Sequence, residues 1–206
     1  QRYALFRNLK GLFEYASAST GLASLTQQHS GWGARFLDYD NDGWKDLLVA
    51  QGHVMDNIEL TQPTIRYLEP LLLLRNNRGK FEDVSSQAGP PFRVPLAARG
   101  AAFGDLNNDG RLDVVLNCNN RLAVILQNQT RSGHHWLLVR LVGTRSNRDG
   151  TGARLRLVLP GGAELHALAS PAGSYLSSSD PRVHFGLGSS PAAALLEVTW
   201  PSGAVQ

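Results

Sequence analysis

The chain reads as an all-β protein, and three observations carry that reading. Its 206 residues include 21 Gly and 10 Pro, and the apolar runs between them are short. Runs such as Leu47-Leu48-Val49-Ala50 and Val114-Val115-Leu116 are bounded by Gly and Asn/Asp clusters, which punctuate strands rather than helices. The chain also aligns with itself. Leu5-Phe6-Arg7-Asn8 matches Leu73-Leu74-Arg75-Asn76, and Phe13-Glu14 matches Phe81-Glu82, at an offset of 68 residues. Gly33-Ala34 matches Gly100-Ala101, and Asp38 matches Asp105, at 67, and a third start lies at Ile125-Leu126-Gln127-Asn128. Repeats of this length built from short strands point to propeller blades or a solenoid.

The third observation is a nine-residue loop that occurs twice. It reads Asp38-Tyr39-Asp40-Asn41-Asp42-Gly43-Trp44-Lys45-Asp46 and then Asp105-Leu106-Asn107-Asn108-Asp109-Gly110-Arg111-Leu112-Asp113, and together these hold seven of the 11 Asp residues. Hard cations such as Ca²⁺ take about six to eight oxygen ligands, supplied by side chains at alternating loop positions and by a backbone carbonyl. The spacing therefore predicts two calcium sites. The first would use Asp38, Asp40, Asp42, Asp46 and the Trp44 carbonyl. The second would use Asp105, Asn107, Asp109, Asp113 and the Arg111 carbonyl. Gly43 and Gly110 stand where such a loop turns through left-handed backbone angles that Gly adopts freely. Plain Asp/Asn/Gly turns would not need acidic residues at alternating positions, and like charges so close repel unless a cation neutralises them.

These loops are not EF-hands. An EF-hand has a Glu at position 12 and helices on both sides, whereas position 12 here is Val49 or Leu116 and the flanks read as strands. The candidates are Ala34 to Leu37, Leu47 to Ala50, Ala101 to Gly104 and Val114 to Leu116. The two repeats differ in one place: Asp46 to Asn76 spans 30 residues, but Asp113 to Asn128 spans 15. The extra residues lie between Gln51 and Pro70, and insertions into a repeat project as loops on one face. His53, within this insertion, is expected to pack the loop.

The bulk composition excludes several classes. No run of eighteen apolar residues is present to span a membrane as a helix, and no basic-apolar-small leader opens at Gln1. Cys118 lies in an apolar run and is expected to act as a small buried hydrophobe. The net charge of +3 is uneven. Setting aside the seven loop Asp with Lys45 and Arg111 leaves 18 basic against 10 acidic residues, a balance that favours acidic partners such as anionic glycans. The Arg residues are scattered and no basic run is interleaved with aromatics, so nucleic acid is not expected as a ligand.

Gly-Ala-x-Phe-x-Asp-x-Asn/Asp-x-Asp-Gly-x-x-Asp, with Leu-x-x-Asn after each unit, resembles the FG-GAP/VCBS repeat, the calcium-loop propeller blade of integrin α-subunit heads and of many secreted bacterial proteins. Ala50-Gln51-Gly52-His53-Val54 resembles the subgroup related to cartilage acidic protein, whose propeller is followed by an ASPIC/UnbV domain. The second half agrees in order and spacing, through His135 to Gly143, Ser146 to Arg154, Gly173 to Ser178, His184-Phe185-Gly186-Leu187-Gly188 and Val198 to Gly203. The resemblance implies about two blades over residues 1–130 and a small ASPIC/UnbV-like β domain, similar to a β-sandwich, over 131–206.

Residue patterns alone place strands in this second part at Trp136 to Val142, Ala153 to Leu159, Glu164 to Ala169, Arg182 to Phe185 and Leu195 to Trp200. Leu155, Leu157 and Leu159 alternate with Arg154, Arg156 and Val158, so one face is buried. Asn147 to Gly150 reads as a turn and not a third metal loop. His134 and His135 would point to opposite faces of a strand and cannot chelate one ion together.

No nucleophile elbow, phosphate loop, zinc-protease helix or dinucleotide fingerprint occurs. Gly186-Leu187-Gly188 is too short to signify. The expected function is a calcium-binding, secreted interaction or adhesion module acting extracellularly, in a periplasm or at a cell surface, without catalysis, and presenting propeller loops to a glycan or protein partner. The alternative is an enzyme, or an accessory subunit of one, with a site on the propeller axis. Such a site would show a pocket with convergent titratable groups that are not metal ligands. Because closed propellers need about four to eight blades, open strand edges near residue 3 and residue 206 are expected, covered by the rest of a longer chain or by an assembly.

Overall fold

The computed structural model describes residues 3–206. Strands hold 38% of the chain and helices 7%, so the all-β reading stands. A hairpin of β1 (Phe6–Leu9) and β2 (Leu12–Tyr15) leads through a single helical turn, α1 (Leu22–Leu25), into the first full blade. That blade is an antiparallel meander of β3 (Gly31–Leu37), β4 (Asp46–Gln51), β5 (Leu72–Asn77) and β6 (Lys80–Asp83). The second repeat gives three strands, β7 (Ala98–Gly104), β8 (Asp113–Cys118) and β9 (Val124–Leu126). The acidic loops are the β3–β4 and β7–β8 turns.

The continuous apolar runs of the first blade follow from burial on both faces. Leu48 and Ala50 of β4 and Leu71 and Leu73 beside or within β5 face the second repeat, where Ala98, Ala101, Phe103, Val114 and Leu116 meet them. Leu47, Val49, Leu72 and Leu74 face the other way, onto Leu22 and Phe81. A strand with one solvated face would have alternated. The first strand of each repeat carries a bulge, between Gly31 and Ala34 in β3 and between Ala98 and Ala101 in β7. Sequence and irregularity thus repeat together.

The C-terminal part has two small sheets. β10 (His135–Val139) pairs with β13 (Val183–Gly188), and β11 (Arg154–Val158) lies between β12 (Glu164–Leu168) and β14 (Leu195–Thr199). Leu155, Leu157, Phe185, Leu187 and Val198 form their shared core. Two expected strand ends move. β10 stops at Val139 rather than Val142, and Gly143 then donates to the Arg148 carbonyl in a turn. β13 runs past Phe185 to Gly188, because Gly186 and Gly188 stay in register with Trp136 and His135.

Other local expectations fare as follows. Asn147 to Gly150 is a turn closed by Gly150 N–H on the Asn147 carbonyl. His53 Nδ1 accepts the Met55 N–H at 3.1 Å and so packs its own loop. Cys118 is half-buried at the margin of the blade core rather than fully buried. Every residue of the β1–β2 hairpin is exposed, Leu12 at 77% and Phe13 at 69%, and the hairpin pairs with no further strand among the described residues. At the other end Val198 and Gln206 exchange both backbone hydrogen bonds, so the last residues return along β14.

Burial predicts a graded response to truncation. Leu74→Ala, at a fully buried side chain, should cost about 2–5 kcal/mol in urea unfolding. Leu12→Ala on the exposed hairpin should stay within about 0.5 kcal/mol. Equal losses at the two positions would contradict this placement of the core.

Candidate metal centre

In the first acidic loop, oxygens of Asp38, Asp40 and Asp42 all lie within 4.8 Å of one another, with Asp38 and Asp40 buried. The loop's own backbone shapes this. Asp42 and Gly43 donate their N–H groups to Asp38 Oδ1 and Oδ2 at 3.0 and 2.9 Å, and Trp44 donates to Asp42 at 2.8 Å. Asn41 takes a left-handed φ of 61°, and Gly43 follows with φ 92°. Burial pushes the Asp38 carboxyl up to about 6, against the pull of Lys45 and the Gly43 N–H. Burial and the neighbouring Asp42 charge also raise Asp40. This donor set is hard, oxygen-only and short of positive charge, which fits an ion such as Ca²⁺.

One cation already reaches it. Arg75 of β5 lies 3.2 Å from Asp40 and 3.6 Å from Asp42, with a side chain 44% exposed. A guanidinium so open to water is a weak partner and can swing away from the carboxylates.

Asp46 is placed differently from the other three. Its two oxygens accept the N–H groups of Asn76 at 2.8 Å and Tyr39 at 3.2 Å. Burial pushes it up to about 7, with both N–H groups opposing. Asp113 repeats the pattern, accepting from Asn128 at 2.8 Å and Leu106 at 3.0 Å. These contacts give a role to the Asn that closes each repeat. Asn76 also caps the Lys45 carbonyl, while Asn128 reaches back to the Tyr39 carbonyl in the first loop. The sequence marked both Asn residues as periodic but offered no partner for them.

The second loop has the same backbone with less free charge. Asp109 and Gly110 donate to Asp105 at 3.0 and 2.8 Å. Asn107 donates to Asp109, which also pairs with the Arg111 guanidinium. Asp105 and Asp113 are buried, while Asn107 is exposed.

Both loops pack against the C-terminal sheet, a contact that spacing could not foretell. Asn41 donates to the Gly110 carbonyl at 3.1 Å, and the buried His184 on β13 brings Nε2 to the same oxygen at 3.0 Å. His134 Nδ1 donates to the Asp40 carbonyl at 2.9 Å, and Gly188 N–H to the Asn41 carbonyl at 2.8 Å. Arg182 donates to the Asp105 carbonyl and to Asn108 at 2.7 and 2.6 Å. Gly186, set aside as uninformative in the sequence, is a contact residue. A Cβ there would lie 2.0 Å from Asp38 Oδ2 and 2.7 Å from the Asn41 backbone. Gly110 is fenced likewise, since a Cβ would fall 1.8 Å from the Trp136 ring. The His pair does not act as a unit: His134 holds the first loop, and His135 lies exposed on β10.

A blade meander, two acidic hairpin turns and an appended β domain define the class of protein. The family model described as FG-GAP-like repeat matches residues 67–116, and that described as ASPIC and UnbV matches residues 143–206. The chain carries an FG-GAP-like repeat followed by an ASPIC/UnbV domain. Cartilage acidic protein 1 is similar to it in three vertebrates. The Xenopus tropicalis protein is 33% identical over 110 residues, which is 52% of this chain. The human protein is 32% identical over 108 residues and the Mus musculus protein 36% over 109, each 50% of this chain. The matched region spans 16% of the length of each of these relatives.

The buried groups set a pH dependence for chelator-treated protein. A carboxyl whose folded pKa exceeds its unfolded value of 3.8 binds more protons when folded. The stability that Asp38 and Asp46 contribute is thus present below pH 3.8 and lost as pH rises through about 6 and about 7. His184 has the opposite sign: burial lowers it from 6.5 to about 4, so the fold gains as pH rises through that window. Of these three groups only the carboxyls still titrate between about pH 6.5 and 7.5, so unfolding free energy should fall with rising pH there, and Asp46→Asn should flatten the fall. A rise over that range in chelator would contradict the assignment.

Proposed function

We propose that the chain is a calcium-binding interaction module acting outside the cytoplasm, in which metal in the β3–β4 and β7–β8 turns stiffens blade loops that meet a glycan or protein partner. The observation that carries the reading is the convergence of Asp38, Asp40 and Asp42 within 4.8 Å, two of them buried. In the first loop these three, with Asp46 and the Trp44 carbonyl, are the residues to hold the ion. In the second loop they are Asp105, Asn107, Asp109, Asp113 and the Arg111 carbonyl. The bound ion supplies positive charge where burial leaves carboxylates uncompensated, and no chemical step is asked of it.

The setting follows from affinity. Extracellular modules of this type bind calcium at roughly 10⁻⁴–10⁻³ M, a range that cytosolic calcium would not fill. The similar proteins are named for cartilage, and among the described residues no helix is long and apolar enough to cross a membrane. The likeness to those proteins supports action at a cell surface or in an extracellular or periplasmic space.

Calorimetric titration of chelator-treated chain with CaCl₂ should give a stoichiometry near two, the first loop binding more tightly because it offers four carboxylates against three. Asp40→Asn should weaken the tighter site at least tenfold, about 1.4 kcal/mol. Calcium at about a hundred times its Kd should raise unfolding free energy by about 2.7 kcal/mol per site. No heat of binding, together with a melting temperature indifferent to EDTA, would defeat the proposal.

A further inference from the structure

Between the two repeats and the C-terminal domain lies a cavity of about 280 Å³ whose lining includes none of the carboxylates assigned to the metal. This is close to the roughly 300 Å³ at which small-molecule sites begin. Its walls come from β3, β7 and the ends of both acidic loops on one side, and from β10, β12, β13 and the approach to β13 on the other. A shallower recess at Arg35, Phe36, Leu168 and Ser170 adjoins its outer side.

The lining charge is lopsided. Arg35 enters from β3, and its Nη1 is buried with no hydrogen-bond partner. Its other terminal nitrogen reaches the Ser170 carbonyl only at 3.5 Å, and its guanidinium stands 6.0 Å from the Phe103 ring centroid. Burial lowers its pKa, and no carboxylate opposes that. Lys45 of the first acidic loop lines the same space, but its charge is taken up by Asp38 and Asp46, which act on it more strongly than Arg35 does. The one acid on the wall, Asp180, is spent: both its oxygens accept from Arg182. A buried guanidinium without a counter-ion is costly, and the cost is relieved by an anion that it can grip in its planar fork.

A second polar atom waits unpartnered. The Gly110 carbonyl can only accept, so His184 Nε2 bears the proton and Nδ1 keeps its lone pair. That Nδ1 is buried without a partner, on a residue that lines the cavity. It calls for a donor. One small molecule satisfies both needs if it brings an anionic oxygen pair and a hydroxyl.

We propose that this cavity binds a hydroxylated carboxylate of sugar-acid size, its carboxylate held by Arg35 and a hydroxyl donating to His184 Nδ1. It rests on the reading of the chain as an interaction module with a glycan partner, and does not depend on the metal. The lining offers a grip for an anion and no free acid, so binding is its function rather than turnover. A sugar acid enters either free or as the end unit of a glycan chain, and the recess at Leu168 is where such a chain would leave.

The test is calorimetric titration of the whole chain with sodium D-glucuronate, with glucose and sodium sulfate as controls. Glucuronate should bind saturably at one site, glucose should not bind, and sulfate should bind at least tenfold more weakly. Arg35→Met keeps the aliphatic stem and should weaken glucuronate at least tenfold. Leu168→Glu, at an exposed position (58%) beside the mouth, sets a competing carboxylate there and should abolish binding even if the Arg35 variant fails to fold. A methyl glycoside of glucuronate that binds as well as the free acid assigns a glycan end, and a loss of binding assigns the free acid. Absence of saturable glucuronate binding, equal binding in Arg35→Met or Leu168→Glu, or sulfate or glucose binding as tightly would overturn the proposal. Calcium binding with no glucuronate binding would remove this site and leave the metal reading intact. The reverse result would remove the metal reading alone.

Discussion

Backbone proximity between the acidic turns and β13 is the constraint on which the arrangement of the two halves depends. Asp38, Asn41 and Gly186 approach so closely that no side chain fits between them, and Gly110 lies under Trp136 in the same way. Most polar groups at such distances are matched: Gly188 serves the Asn41 carbonyl, His184 and Asn41 share the Gly110 carbonyl, and Arg182 serves Asp105 and Asn108. The cost of leaving any of these buried groups unpaired is roughly 1–3 kcal/mol. Loop shape and domain position are therefore not independent.

The repeat explains why this contact has the form it has. The first loop leans on the second through Asn41, and at the equivalent position Asn108 of the second loop leans on Arg182. Phe103 of β7 donates its N–H to the Ser179 hydroxyl and accepts the Asp180 N–H at its carbonyl, so the segment before β13 lies along the free side of the second repeat. The C-terminal part continues the neighbour-to-neighbour packing that a further blade would make.

Features with a local cause were legible in the sequence. Strand positions, the acidic turns and the Asn147 turn all follow from Gly, Asn and Asp punctuation and from period-two or doubly apolar runs within a few residues. Alternation of Leu155 and Leu157 with Arg154 and Arg156 foretold the buried face of β11. What stayed hidden joins distant residues. Gly110 and His184 are 74 positions apart, and Asp46 and Asn76 are 30 apart. Gly186 carries no signal until the loop that presses on it is in place. Arg75 and Arg35 looked alike as scattered basic residues, yet one lies over the acidic turn and the other ends unpaired in a cavity. Position in three dimensions separates them, and no spacing rule does.

Amide hydrogen exchange with and without calcium tests most directly whether the proposed metal centre also holds the domains together. Gly43 and Gly110 donate inside the loops, while Gly188 donates across the junction to Asn41. If metal in the first loop fixes the surface on which β13 rests, calcium should slow exchange at Gly188 and along β13 together with Gly43, and chelation should reverse all of it. Slowing confined to the two loops, with Gly188 unchanged, would contradict the link between the metal centre and the C-terminal domain.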